Sequence, residues 1–331
     1  MSTTDRVLIT GASGFLGAAI ADAARQRGLS VRALVRSSSP KANLHPADAI
    51  ATGDLLDVSS LERALRDVRF VIHAAADYRL WSRTPEALVA TNVEGTRNLM
   101  KACLSAGVDR VVVTSSVATL APVLGGLADE TNRLHPENAA GDYERSKILA
   151  ERLVETMAVQ LGLPAVIVQP ATIVGPRDIR PTPTGRMILA AARGRVPAFV
   201  DTGLTISHVE DVAEGHLAAL EWGKVGDRYV LGGDQVKLQR ILQEVARLTG
   251  RSPPRFRAPR SLAYATACCA EFGAKFTGRE PLTTRTGVRL SRHYMYFNDA
   301  KARAELGYRS RPFEFALDDA IRWFKSAGLL P

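Results

Sequence analysis

Tyr143 and Lys147 stand four residues apart, and Ser116 lies upstream, at the end of the apolar run that begins at Val111. On a helix, residues four apart share a face, so the phenol and the ammonium would project together. An ammonium beside a phenol favours the phenolate, so Lys147 is expected to lower the Tyr143 pKa from its ordinary value of about 10. A phenol tuned in this way hands a proton to a carbonyl oxygen or takes one from an alcohol. Ser116 could hydrogen-bond that oxygen and fix its direction, with Ser115 as the rival donor. Near the N-terminus the chain reads Gly11-Ala12-Ser13-Gly14-Phe15-Leu16-Gly17. Glycines so spaced, after a strand and opening a helix, permit a tight turn and close approach of backbone to a pyrophosphate. The helix N-terminus then offers free N–H groups and a positive dipole end to the phosphates. Together these residues make a complete hydride-transfer site, pointing to a nicotinamide dinucleotide and a carbonyl or secondary-alcohol substrate.

Cofactor choice is read at the end of the second strand, where NAD enzymes typically carry an acidic residue for the ribose diol. Here the segment is Val31-Arg32-Ala33-Leu34-Val35-Arg36-Ser37-Ser38, with no carboxylate. A guanidinium has no acceptor to offer a diol and suits a 2′-phosphate. NADP is therefore expected over NAD, with Arg36 as the discriminating residue and Lys41 in support. Asp54, after the third strand, could accept from an adenine amino group or simply hold a turn.

These groups need rigid elements behind them. Strands are predicted at Val7–Thr10, Val31–Val35, Ala49–Gly53, Phe70–His73, Val111–Ser115 and Val166–Gln169, and helices near 15–27, 59–66, 85–106 and 142–161. Strand–helix alternation with uniformly apolar strands predicts an α/β fold, a doubly wound parallel sheet covered on both faces. After Gly175-Pro176 prolines and glycines cluster and elements shorten. The reading is a dinucleotide-binding domain over 1–175 and a smaller mixed α/β substrate domain over 176–331, with part of 200–222 returning to the first. Helices are predicted near 184–194, 237–249, 261–276 and 313–326, and another after Asp211 as N-cap. The apolar run Leu262 to Ala270 reads first as a helix packed into the smaller domain. Its other reading is a lid or a surface for a lipidic substrate. The helices at 85–106 and 142–161 either cover the sheet or pair two chains, so a homodimer is open.

Composition closes off other classes. No run of eighteen apolar residues exists, so no membrane span is expected. A net charge of +9 would suit a nucleic-acid binder, but the basic residues are scattered, the densest set being Arg251, Arg255, Arg257 and Arg260. A solvated basic surface is the expectation, with no nucleic-acid partner and only a small-molecule substrate. Three cysteines, Cys103, Cys268 and Cys269, give neither a disulfide framework nor a metal site. They are read as reduced and mostly buried, in a cytoplasmic protein whose strand-like N-terminus leaves no room for a signal peptide.

The chain resembles the extended short-chain dehydrogenase/reductases along nearly its whole length. The resemblance rests on Thr10 to Gly17, Asp54-Leu55, His73-Ala74-Ala75-Ala76, Asn92-Val93-Glu94-Gly95-Thr96, Thr114-Ser115-Ser116, Tyr143 to Lys147, Pro170 to Pro176 and His208 to Val212. Through Ala76 to Trp81, Pro181 to Met187 and Asp201 to Leu204 it is most similar to the hopanoid-associated sugar epimerase group, itself similar to dihydroflavonol 4-reductases. The resemblance implies a Ser116–Tyr143–Lys147 triad. It implies cofactor contacts at Gly11, Ser13, Gly14, Phe15, Leu16, Arg36, Asp54, Leu55, Ala74, Ala75, Ala76, Asn92, Thr114, Lys147, Pro170, Ile173 and Val174. It implies a substrate between the domains, near Asp77, Tyr78, Arg79, Trp81, Ser116, Arg177, Arg186 and His208. One departure stands out: Thr205-Ile206-Ser207 replaces the arginine-aspartate pair that many nucleotide-sugar epimerases carry before the histidine-valine motif. The first expectation is an NADP(H)-dependent oxidoreductase. The alternatives are a sugar epimerase with tightly held cofactor and a non-catalytic NADP-binding regulatory or scaffold protein.

Overall fold

The central N-terminal strands carry apolar residues at consecutive positions because both of their faces are covered. In β1 (Arg6–Thr10), Val7 and Ile9 enter one hydrophobic core and Leu8 enters another. Successive side chains of a strand point to opposite faces, so a doubly covered strand must be apolar at every position. The structure, a computed structural model, describes residues 5–82, 84–278 and 280–331.

In chain order β1 is followed by α1 (Phe15–Gln26), β2 (Ser30–Val35), β3 (Ala49–Thr52), α2 (Val58–Ala64), β4 (Phe70–His73), α3 (Pro85–Ala106), β5 (Arg110–Thr114), α4 (Asp142–Leu161) and β6 (Ala165–Pro170). Next come β7 (Thr172–Val174), α5 (Pro183–Ala192), β8 (Ala198–Phe199), β9 (Gly203–His208), α6 (Val209–Trp222), β10 (Arg228–Leu231), β11 (Asp234–Lys237) and α7 (Leu238–Thr249). The chain ends with β12 (Phe256–Arg257), α8 (Arg260–Thr277), α9 (Arg285–Leu290), α10 (Ala300–Leu306) and α11 (Phe313–Ser326).

Seven strands form one parallel sheet in the order β10-β6-β5-β4-β1-β2-β3. This is the doubly wound Rossmann arrangement. The strand order reverses between β1 and β4, the place where such sheets open a ligand crevice at their carboxyl ends. Residues of α1, α6 and α10 cover one face, with Ile20, Leu217 and Leu306 in that core. Residues of α2, α3 and α4 cover the other through Leu61, Met100 and Val154. Burying each such side chain contributes about 1.5–3 kcal/mol. A third core gathers α5, α7 and α11 against the small mixed sheet β11-β9-β7, with Ile188, Ile241 and Leu317 buried in it.

All six predicted strands are present, and the predicted helices have their counterparts. Four readings are corrected. The helix assigned to an Asp211 cap starts earlier, at Val209, because the His208 ring accepts the Glu210 N–H at 3.1 Å; Asp211 instead receives the backbone N–H of Arg311 at 2.7 Å. The short strands after β6 were not anticipated, and β10 completes the large sheet from well beyond residue 176. Only Cys103 is buried; Cys268 and Cys269 are exposed. And α8 is not packed away: of its residues only Ala267, Glu271 and Ala274 are buried.

Two glycines test the packing argument. A Cβ on Gly17 would lie 2.1 Å from the Gly11 carbonyl oxygen, whereas one on Gly273, in the C-terminal half of α8, would meet nothing within 4 Å. Gly17→Ala should lower stability by about 1–3 kcal/mol through overpacking. Gly273→Ala should raise it by about 0.5–1 kcal/mol. Opposite shifts of the urea midpoint check both.

Candidate active site

The glycine turn occupies the strand-order reversal. Gly11 has φ +75°, and a Cβ there would approach the backbone N of Ala75 to 2.9 Å. The turn and the segment Ala74–Ala76 therefore press together, held by the Thr10 hydroxyl, which accepts the Ala75 N–H at 3.1 Å and bonds His73 Nδ1 at 2.8 Å. α1 is entered through Gly14, with no side-chain cap and no acidic residue in its first turn. Its leading N–H groups and dipole are left for an anion. Ser13 is buried in the turn, while Phe15 and Leu16 pack partly into the core beside it. Beyond β2, Arg36 and Lys41 are exposed, and among the described residues neither side-chain cation has a hydrogen-bond or ion-pair partner. Asp54 accepts the Leu56 N–H at 2.9 Å, so one carboxylate oxygen serves a turn. Leu55 packs against Gly95 of α3. A cradle with no room for a Cβ, an uncapped helix start and an unpaired guanidinium fit a phosphorylated dinucleotide.

Ser116, Tyr143 and Lys147 converge at the carboxyl end of β5. Ser116 caps a short 3-10 turn, its Oγ accepting the Ala118 N–H at 3.1 Å, and its hydroxyl is placed to favour the Tyr143 phenolate. Lys147 is buried, and its Nζ donates to the Thr114 carbonyl at 2.7 Å. Strand alternation separates the two candidate serines: Ser115 turns inward, and its hydroxyl donates to Glu151. Glu151 also accepts from Thr119 at 3.0 Å and from the Gln169 amide at 3.0 Å, in a buried polar cluster behind the site. Thr114 is fixed from the far face by His216 Nε2 at 2.9 Å. Pro170 ends β6, and Ile173 and Val174 lie on β7 just beyond it.

The titration differs from the sequence expectation. Burial raises the Tyr143 pKa, and the Ser116 hydroxyl only partly offsets it. Burial brings Lys147 itself down to about 8, although Glu151 pulls the other way. The same desolvation holds His73 near about 3, aided by the Lys147 charge. The expected lowering of the phenol is thus absent in this state, because desolvation opposes both charged forms.

The segment after β4 is anchored by Asn92 of α3. Its amide accepts the Asp77 N–H at 2.7 Å and donates to the Asp77 carbonyl and the Ser146 hydroxyl, both at 2.9 Å. Asn92 so ties this loop to the helix that carries Tyr143. Asp77 pairs with Arg79, and the Tyr78 hydroxyl reaches the Arg180 carbonyl at 3.2 Å. Trp81 follows, partly exposed. Arg186 pairs with Glu280 at 2.8 Å, and Glu280 also receives the Leu80 N–H at 3.3 Å. Asp77, Tyr78 and Arg186 thus belong to one linked region.

Two predicted substrate residues do not join it. The Arg177 guanidinium is taken up by Asp22 of α1, and its carbonyl accepts from Asn43 at 3.1 Å. His208 is fully buried: Nδ1 accepts from Glu210, so Nε2 carries the proton and meets Asp319 at 3.1 Å. Both ring nitrogens are thus engaged within the chain, and the ring caps α6. Asn43, Asp178, Glu151 and Glu280 were not singled out from sequence. They sit in loops or on a buried helix face, with no spacing signal to mark them.

Residues 7–232 match the NAD dependent epimerase/dehydratase family. The chain belongs to this family. It is an enzyme of the extended short-chain dehydrogenase/reductase type, an oxidoreductase that depends on a nicotinamide cofactor. A Synechocystis sp. protein named "Putative dihydroflavonol 4-reductase" is 40% identical, covering 99% of this chain and 97% of its own. Sterol demethylase protein B of Methylococcus capsulatus is 36% identical over 98% and 99%. The crystal structure of gox2253 is 45% identical, with a TM-score of 0.89 over 99% of this chain and 100% of its own.

Asp178 supplies a pH test of this family member. It is buried beneath the first turn of α5, accepting from the Thr182 hydroxyl at 2.9 Å, and burial pushes its pKa from 3.8 up to about 6. The folded state then holds the proton more tightly than the unfolded state. The resulting stabilisation is full below pH 3.8 and is lost as pH rises through about 6. Asp178→Asn should remove that loss, on the order of 1–3 kcal/mol. Urea midpoints of both proteins across this window check it.

Proposed function

We propose that this enzyme is an NADP(H)-dependent reductase of a bulky ketone or aldehyde, or the dehydrogenase of the corresponding secondary alcohol. The observation that carries the reading is the Lys147 Nζ hydrogen bond to the Thr114 carbonyl at 2.7 Å, which sets the inner face of α4 against the strand end that leads to Ser116, with Tyr143 one turn earlier on the same helix. The nicotinamide, when bound, supplies or accepts the hydride. Tyr143 gives its phenolic proton to the carbonyl oxygen as that oxygen gains charge. A phenol raised by burial stays protonated at neutral pH, which suits the reductive direction. Ser116, already accepting from Ala118, turns its O–H toward the same oxygen and orients it. Lys147, held by the Thr114 carbonyl, places a positive charge one helical turn from the phenol, where it would help hold the cofactor. Gly11, Gly14 and the start of α1 would hold the pyrophosphate, and Arg36 a 2′-phosphate.

Reduction is favoured over epimerisation of a nucleotide sugar by the charges around the cleft. A sugar diphosphate needs unpaired cations. Arg79, Arg177 and Arg186 are already paired with Asp77, Asp22 and Glu280. Thr205 and Ser207, at the position of the epimerase arginine-aspartate pair, are buried: Ser207 donates to the Gly232 carbonyl at 2.7 Å, and Thr205 accepts from the Phe297 N–H at 3.0 Å. The reductase name of the Synechocystis relative supports the same direction.

Tyr143→Phe should lower turnover by about 10²–10⁴-fold while leaving NADPH affinity nearly unchanged. Stoichiometric NADPH consumption on a panel of bulky ketones, read at the nicotinamide absorbance, is the assay. Full activity in the variant would remove the phenol from the acid role, and isomerised product without net cofactor use would return the epimerase. Arg36→Asp should shift the NADPH/NADH preference toward NADH by at least about tenfold in kcat/KM, the loss of one charged contact. An unchanged ratio would move the 2′-phosphate site elsewhere.

A further inference from the structure

α8 is built inside out. Its small residues face the protein, with Ala267 and Ala274 buried, while Leu262, Phe272 and Phe276 are 58%, 64% and 75% exposed. At 3.6 residues per turn, Leu262, Ala265, Cys269, Phe272 and Phe276 fall on one stripe, and no charged residue interrupts it. The Phe272 and Phe276 rings meet edge to face at 5.3 Å and so form one apolar surface. Phe256, shortly before the helix, is 76% exposed. A water-facing stripe of this size marks an interaction surface.

The charge beside the stripe selects the partner. Residues 251–293 contain nine basic and two acidic residues, a net +7 out of the chain's +9. Basic residues are scattered along the chain, but the excess is concentrated here. Both acids are internally engaged: Glu271 is buried against Arg285, and Glu280 is paired with Arg186. A second copy of the chain would set this positive segment against itself. An anionic bilayer accepts both the apolar stripe and the cations, as amphipathic interfacial helices do.

We propose that α8 lies flat on an anionic membrane and that the enzyme draws its substrate, a lipid-soluble ketone or alcohol, from that surface. The substrate class rests on the reductase reading; the membrane contact does not. The helix touches no bilayer core from side to side, since among the described residues no helix is long and apolar enough to cross one. The segment that follows α8 borders the cleft. Glu280 receives the Leu80 N–H, Thr286 packs against Gly141 at the start of α4, and Arg289 donates to the Ala140 carbonyl at 3.4 Å. Tyr143 lies in the first turn of that same helix. Docking α8 therefore brings the rim of the cleft to the lipid headgroups.

The test is co-sedimentation of the full chain with phosphatidylcholine vesicles, with and without phosphatidylglycerol. Binding should require phosphatidylglycerol, weaken in high salt, and fall at least about tenfold in Phe272→Ser/Phe276→Ser with an unchanged unfolding midpoint. Val159→Ser, which removes an 85% exposed apolar residue of α4, should bind like the wild type. The proposal is overturned by absence of vesicle binding, by equal binding of the double variant, or by equal loss in Val159→Ser. It is also overturned if the double variant instead dissolves a dimer seen by sedimentation velocity. Vesicle binding is read without turnover, so a failed ketone panel leaves it standing and sinks only the reductase reading.

Discussion

The site is organised around an ammonium withdrawn from water. Lys147 is buried, and the one hydrogen bond its Nζ makes among the described residues goes to a backbone carbonyl, that of Thr114. A lone buried ammonium is unfavourable and tends to neutralise, the direction in which its pKa moves. The surroundings limit that penalty. Glu151, one turn further along α4, favours the charged form, and is itself held by hydroxyl and amide donors from Ser115, Thr119 and Gln169. The cluster behind the site is thus a support for a charge that must stand in front of it. It also explains why α4 carries buried charged residues on a face that otherwise packs on the sheet through Val154 and Met157.

Burial shapes the phenol in the same way and with the opposite sign. Because desolvation disfavours phenolate as well as ammonium, Tyr143 moves up while Lys147 moves down. The two groups do not form a tuned acid–base pair in the protein alone. What the protein fixes is position. The Ser116 hydroxyl is set by its own short turn, Tyr143 by the first turn of α4, and Asn92 locks that helix to the loop after β4 through Ser146 and Asp77. Positioning of this kind is where an enzyme gains most when a cofactor carries the hard step.

The legible parts of the sequence were those governed by local rules. β1, β4, β5 and β6 each hold a run of consecutive apolar residues, and α3 ends at Gly107 with φ +63°, a stop that glycine makes cheap. Gly11 and Gly17 announce a close approach that no other residue allows. The parts missed depend on contacts far along the chain. β11 reads Asp234-Gln235-Val236-Lys237, polar enough to pass as a loop, and becomes a strand only by pairing with β9. Nothing near Arg177 in sequence shows that Asp22 takes its charge, and nothing near His208 shows that it caps its own helix and meets Asp319. Histidine and arginine at a motif suggest ligands by type; the partners they take within the fold are not written in the same stretch. The Lys147 effect on Tyr143 failed for a related reason, since spacing gives proximity but not desolvation.

The distribution of paired and unpaired cations connects the remaining features. Around the predicted substrate region, Arg79, Arg177 and Arg186 each have a carboxylate partner within the chain. At the turn beyond β2, Arg36 has none among the described residues. A guanidinium already bonded to a carboxylate gains little from a phosphate, because the first partner must be given up. An exposed, unpaired one has no such loss. Net positive charge is concentrated along 251–293, which carries +7 of the chain's +9. On the reductase reading proposed above, paired arginines suit a neutral carbonyl compound, which brings little charge to desolvate. The exposed apolar stripe of α8 lies in the segment that leads to the same cleft. An anionic cofactor and an apolar substrate would then approach from separate directions, each along a surface of matching character.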